Sequence, residues 1–209
     1  MLREKGTQVA ALDLTFSAPK SVSVLFAVAR PEVSRGLVDC HEEAVEAALG
    51  YLEETAAFVR RGRHSSRFEL AGGFVTAVFR HRMSRALDPQ LHTHCVTANM
   101  AKGPDGRWTA LHHPSLYKAA QTAGYLYQAH LRARVHERLG LEWGPVRKGA
   151  AELSGIGPAV LEEFSRRRHE MRREAENGGL ALDTKRRSEK AAIATRERKQ
   201  YGVETHTWR

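Results

Sequence analysis

Along "VAALDLTFS" (9–17) apolar and polar residues alternate, a period of two that predicts a strand with Asp13 and Thr15 on one face. Ser17 then reads as a helix N-cap and Pro19 as a first-turn proline. They predict a helix over "PKSVSVLFAVA", with Lys20 just beyond the strand end. From Pro31 the spacing changes. Val33, Leu37, Val38, Cys40, Val45, Leu49 and Leu52 recur at near-helical intervals, predicting a long helix through Val59 that covers a sheet. The basic stretch "RRGRHSSR" (60–67) reads as a turn.

Two β-branched and aromatic runs follow, "AGGFVTAVFRH" (71–81) and "LHTHCVTANM" (91–100). A polar loop containing Asp88 and Pro89 separates them, which suggests an antiparallel pair. "GPDG" (103–106) is a turn and "RWTAL" (107–111) a short strand. The segment 112–140 has a proline start, many Ala and Leu and a glycine stop, predicting a helix of about six or seven turns. "LEWG" (141–144) reads as an edge strand. Beyond about residue 150 come a polar loop, a charged helix within "ELSGIGPAVLEEFSRRRHEMRR", a break at "NGGLALDT" and a second charged helix, "KRRSEKAAIATRERKQ". The expected fold class is α+β, an antiparallel sheet with flanking helices. Residues 1–149 form its core and residues 150–209 a helical basic extension.

A chain of 209 residues with 42% hydrophobic content can bury a real core, which argues against disordered, collagen-like and disulfide-framework classes. No apolar run approaches the roughly 18 residues of a membrane span, and "MLREKGTQVAALDLTF" lacks the apolar core of a signal peptide, so a cytoplasmic protein is expected. Cys40 and Cys95 are too few for a framework and read as free thiols. A formal charge of +9 favours an anionic partner, nucleic acid first. Much of the positive charge crowds the last quarter of the chain, where Glu and Arg can also simply pair along solvated helix faces.

"HRMSRALDPQLHTH" (81–94) holds three of the eleven histidines. On a strand His92 and His94 share one face, while Thr93 and Cys95 point the opposite way. An antiparallel neighbour brings His81 across from them. The result is a three-imidazole cap with open coordination positions and Asp13 as an outer hydrogen-bond acceptor. Ligand softness suits zinc, nickel, copper or iron, and magnesium or manganese become suitable once a substrate adds phosphate oxygens. The competing reading is surface or packing histidine. His112 and His113, at a strand-to-helix junction, share no face, and the remaining histidines read as structural or surface.

The ordered motifs "DLTFSAPKSVSVLFA", "FRHRMSRALDPQLHTHCVTANM", "RWTALHHPSLYKAAQTAGYLYQ" and "ELSGIGPAVLEEFSRRRHEM" resemble the relaxase domain of TrwC/TraI-type (MobF) conjugative relaxases, within the HUH endonuclease superfamily. The resemblance implies nicking and strand transfer on DNA at a plasmid origin of transfer, through a tyrosine that becomes attached to a 5′-phosphate. It assigns His81, His92 and His94 to a divalent metal, with Mg or Mn in use and Zn or Ni also compatible. Asp13 becomes a catalytic carboxylate that orients a histidine and helps activate the tyrosine. Thr15, Ser17 and Lys20 are placed near DNA phosphates. Family members carry the tyrosine well ahead of the "DLTFS" strand. Here twelve residues precede Asp13 and none is Tyr, so the chain is expected to bind metal and DNA without forming a covalent adduct, and the nucleophile is unassigned. Tyr117, Tyr125 and Tyr127 read mostly as packing.

For such a substrate, backbone contacts dominate affinity and aromatic stacking adds to it. Arg80, Arg82 and Arg85 flank the histidines, and Lys102 and Arg107 bracket the next turn. Trp108 is a stacking candidate, although a core position is the commoner fate of a tryptophan. The implied partners are single-stranded or hairpin DNA at the origin and other relaxosome proteins, with the C-terminal helices embracing the DNA. Three alternatives stay open. One is a non-catalytic single-stranded-DNA-binding remnant or regulatory module. The others are a cupin-like metalloenzyme, which the helix-rich second half opposes, and a hydrolytic metallonuclease that would leave free DNA ends.

Overall fold

The computed structural model describes residues 9–62 and 67–177. In chain order it contains β1 (Ala11–Ser17), α1 (Lys20–Val28), α2 (Pro31–Ala56), β2 (Phe58–Arg61), β3 (Arg67–Leu70), β4 (Thr76–Met83) and β5 (Pro89–Ala98). These are followed by β6 (Ala101–Lys102), β7 (Trp108–Thr109), α3 (His113–Leu139), α4 (Pro158–Glu163) and α5 (Arg166–Asn177). The chain divides into two compact units, Met1–Arg82 with Gln90–Ile156, and Met83–Pro89 with Gly157–Arg209. The expected second charged helix and the "NGGLALDT" break after Asn177 lie outside the described residues.

The first unit is built on a three-stranded sheet in the order β1-β5-β4, with two small two-stranded sheets, β2-β3 and β6-β7. β1 runs antiparallel to β5, with Thr15 opposite His94, Phe16 opposite Thr93 and Ser17 opposite His92. β4 and β5 are sheet neighbours joined by a short turn, a link that only antiparallel strands allow. Helix α2 buries Leu37, Cys40, His41, Ala44, Val45, Ala48 and Leu52 on one stripe. α3 buries Leu116, Ala123, Tyr127, Leu131 and Val135 on another, and the two helices pack together. Their approach is close: a Cβ at Gly36 would stand 2.8 Å from a methyl of Leu139. Gly140, at φ 64°, terminates α3 in the left-handed conformation that glycine adopts without strain, its N–H donating to His136 O. Among the described residues no helix is long and apolar enough to cross a membrane.

Several local expectations change. Ser17 is the last residue of β1 and does not cap α1. Instead the Ser21 N–H donates to Glu152 Oε2 at 2.8 Å, and the Leu153 N–H donates back to Ser21 Oγ at 2.7 Å. A distant loop thus satisfies one orphan donor of the first turn. α2 stops at Ala56, and Phe58 and Val59 leave it for β2. The basic stretch read as a turn is therefore flanked by an antiparallel hairpin, with Arg61 opposite Arg67. "LEWG" forms no strand; Trp143 makes only an isolated bridge to Leu153. In its place Trp143 Nε1 donates to Arg132 O on α3 at 3.1 Å, so the indole anchors the segment to a helix.

In the second unit the charged helix is two helices, interrupted at Phe164–Ser165. The Ser165 hydroxyl donates to Leu161 O, and its carbonyl accepts from Arg168 N and His169 N. The same unit contains the turn 84–88, closed by Ser84 N–H donating to Asp88 O and by Leu87 at φ 59°. The Asp88 side chain is 1% exposed and accepts from Arg166 Nε at 2.8 Å, a pairing that a buried carboxylate requires.

Candidate metal centre

The antiparallel register brings side chains from three strands onto one sheet face. His92 and His94 come from alternate positions of β5, His81 from β4, and Thr15 and Ser17 from the β1 positions opposite the two β5 histidines. The three imidazole rings form a nearly equilateral triangle, with centroids 5.1, 5.1 and 5.2 Å apart. One ligating atom from each lies within 4.8 Å of the others. Exposure increases outward: His92 is buried, His94 partly buried and His81 exposed.

Outer hydrogen bonds prepare two of these rings. His94 Nδ1 lies 2.9 and 2.8 Å from the two oxygens of Asp13, so it carries the proton and donates to the carboxylate. The Thr15 hydroxyl donates to the same carboxylate at 3.1 Å. His92 Nδ1 donates to Gln90 O at 2.9 Å. In both residues Nε2 is left as the lone-pair nitrogen, the tautomer a metal needs. Burial, together with neighbouring His81 and His94, pushes the His92 pKa below the ordinary imidazole value, despite the Gln90 hydrogen bond and the Asp13 charge, which favour the proton. The ligand there is neutral near pH 7. Three converging imidazoles, one of them backed by an anchored carboxylate, fit a divalent metal.

The structure distributes the other sequence-derived residues unevenly. Asp13 and Thr15 join the cluster directly, Ser17 stands opposite His92, and Lys20 opens α1. Arg80 and Arg82 alternate with His81 and so leave β4 on the other side. Arg80 pairs with Glu42 of α2, and the Arg82 guanidinium lies 5.8 Å from the Phe26 ring centroid. Arg85 is exposed in the turn of the second unit. Lys102 and Arg107 are exposed at the β6-β7 hairpin, beside Trp108, which is 50% exposed and not in the core. A two-residue ladder offers an indole no covered face.

Two further residues hold the structure around the site. Arg61 clamps the β6-β7 turn with a two-pronged pair to Asp105 at 2.9 and 2.8 Å and further bonds to Thr109 Oγ1 and Arg107 O. Gly103 permits that approach, because a Cβ there would come within 2.1 Å of the guanidinium. His41 is wholly buried in α2 and accounts for no ligand; its Nδ1 is 2.7 Å from Tyr127 Oη and its Nε2 2.7 Å from Thr93 Oγ1. Its only sequence signal was a polar position inside an apolar stripe. Tyr127 is 1% exposed, and burial raises its hydroxyl above the usual tyrosine range, so it is a packed, protonated group and no nucleophile.

The family model of the TrwC relaxase matches residues 1–209, so the chain belongs to the TrwC relaxase family. The multifunctional conjugation protein TraI of Escherichia coli is 36% identical over 199 residues, which cover 90% of this chain and 11% of that protein's length. The fold is similar to a metal-bound structure of the conjugative relaxase TrwC in complex with oriT DNA, with TM-score 0.85 and 33% identity over 95% of this chain and 68% of that one. It is also similar to TrwC complexed with a 27-mer DNA comprising the recognition hairpin and the cleavage site, with TM-score 0.82 and 31% identity over 96% and 75% of the two chains.

Proposed function

We propose that the chain is the metal-dependent DNA-nicking and strand-transfer region of a conjugative relaxase, acting in the cytoplasm on single-stranded or hairpin DNA at a plasmid origin of transfer. One observation carries this reading: two Nε2 lone pairs held by fixed tautomers converge with His81 on an open sheet face, in a chain similar to relaxases solved with oriT DNA.

His81, His92 and His94 would hold the divalent ion, which when bound polarises the scissile phosphate and neutralises charge developing on its oxygens. The chain's own residues set up that site. Asp13 keeps the proton on His94 Nδ1 and so keeps the opposite nitrogen available, while Thr15 holds the carboxylate in place. A phosphodiester reaching this face meets Ser17 opposite His92 and Lys20 one short loop beyond, both suited to hydrogen-bond its oxygens. Lys102, Arg107 and Arg85 supply exposed positive charge, and Trp108 an exposed ring for base stacking. Arg82 adds to the positive field from the opposite side of the sheet, where Glu42 balances the Arg80 charge.

Incubation with manganese and a labelled origin hairpin carrying its cleavage strand tests the reading, with binding followed by anisotropy and products on a denaturing gel. Salt-sensitive binding is expected, and metal binding that His94→Ala weakens on the order of a hundredfold. A covalent protein–DNA band abolished by Tyr117→Phe or Tyr125→Phe would locate the nucleophile among the described residues. Free 3′ and 5′ ends would indicate hydrolysis instead. Binding no tighter than to a random oligonucleotide, with no manganese uptake, overturns the proposal.

A further inference from the structure

Thr93 lies between the two β5 ligands, and its side chain leaves the strand on the face opposite theirs. There it meets a hydrogen-bonded chain drawn from two helices. Thr93 Oγ1 is 2.7 Å from His41 Nε2 on α2, and His41 Nδ1 is 2.7 Å from Tyr127 Oη on α3. Thr93, His41 and Tyr127 are 2%, 0% and 1% exposed. The Tyr127 ring also meets His41 edge-on at 5.6 Å and Phe16 at 5.5 Å, and Phe16 is the β1 residue opposite Thr93.

Three polar groups at the centre of an apolar core need a reason. A valine would fill the space of Thr93 and suits a strand as well, and well-packed apolar groups match a satisfied buried polar network in stability. What the polar chain adds is direction. A neutral imidazole has one donor and one acceptor nitrogen, and both are engaged along a single line from α3 through α2 to β5. A slip or twist of β5 at this point stretches the Thr93–His41 bond, and the Tyr127 bond on the other ring nitrogen keeps the imidazole from following, whereas an apolar contact tolerates small shifts.

We propose that Tyr127, His41 and Thr93 are positioning residues that fix the backbone of β5 between His92 and His94, and with it the spacing and tilt of the two imidazoles. The division of labour is plain: Gln90 and Asp13 orient the rings, and the buried chain locates the strand that carries them. The inference rests on the metal-centre reading above.

Cobalt(II) serves as the probe, with affinity measured by calorimetry and ligand geometry by visible absorption and EPR of the loaded protein. Thr93→Val is expected to weaken cobalt binding about tenfold and to alter both spectra, with Thr93→Ser restoring them. Tyr127→Phe, which keeps the ring, should produce a smaller change in the same direction. All measurements are made well below each variant's melting temperature, so lost stability alone does not move them. Unaltered affinity and spectra in Thr93→Val and Tyr127→Phe would overturn the positioning role while leaving the metal centre standing. A wild-type chain that takes up no cobalt would overturn both.

Discussion

The two faces of strand β5 teach opposite lessons from adjacent residues. On one, His92 and His94 meet His81, Asp13 and Thr15 in a partly exposed, polar group that faces away from the core. On the other, Thr93 and Cys95 are buried, at 2% and 0% exposure. There the Cys95 thiol is pushed up to about 11, by burial first and by the Asp13 charge second, and is inert as a nucleophile. One face therefore holds reactive groups on few bonds, while the other supplies packing. The first can change chemistry at little cost in stability, and the second cannot.

Four substitutions and one condition break or sharpen that contrast, from the largest expected effect down. Phe16→Ala, on the covered face against Tyr127, should cost about 3–5 kcal/mol of unfolding free energy in urea titration. Acid acts on the same side. His41 is held to about 4 from an ordinary 6.5, by burial first and then by Arg80 and His92. Between those values the unfolded chain takes the proton and the folded chain refuses it. Stability should therefore fall by roughly 3 kcal/mol as pH drops through that window, with no further loss from this group below it. His41→Gln should flatten that part of the profile in calorimetric melts at a series of pH values.

On the open face the effects move from stability to binding. His94→Ala should weaken manganese or cobalt affinity on the order of a hundredfold by calorimetry, with thermal stability close to wild type. Asp13→Asn, which leaves the ring in place and weakens its acceptor, should cost about tenfold in the same titration. A large loss of stability in either variant would show that the two faces are not separable.

Much of this site was legible because strand periodicity is strict. A period of two puts His92 and His94 together and Thr93 apart whatever the rest of the chain does, and the same rule placed Asp13 with Thr15. The long helix α2 was legible from its apolar stripe, and α3 from its proline start, its Ala and Leu content and its stop at Gly140. Residues whose meaning depends on a distant partner were not. Ser17 looked like a cap because nothing local shows that Glu152, far along the chain, would cap α1 instead. Trp108 looked like core because its ladder's shortness is decided by a turn and a clamp from Arg61. Arg80 and Arg82 stood beside the histidines in sequence, yet the alternation that separates Thr93 from His92 sends them toward Glu42 and Phe26.

By itself, then, the sequence determined which residues share a strand face, which chemistry they bring and the positive charge of the chain, since periodicity, side-chain type and net charge are local or additive properties. Only the tertiary structure decided that β1 pairs with β5 in the register placing Thr15 against His94. It alone assigned the Asp13 carboxylate to His94, set the spacing of the three rings and placed His41 and Tyr127 behind Thr93. Register and helix docking are settled by burial summed over the whole core, and no short stretch of chain contains that sum.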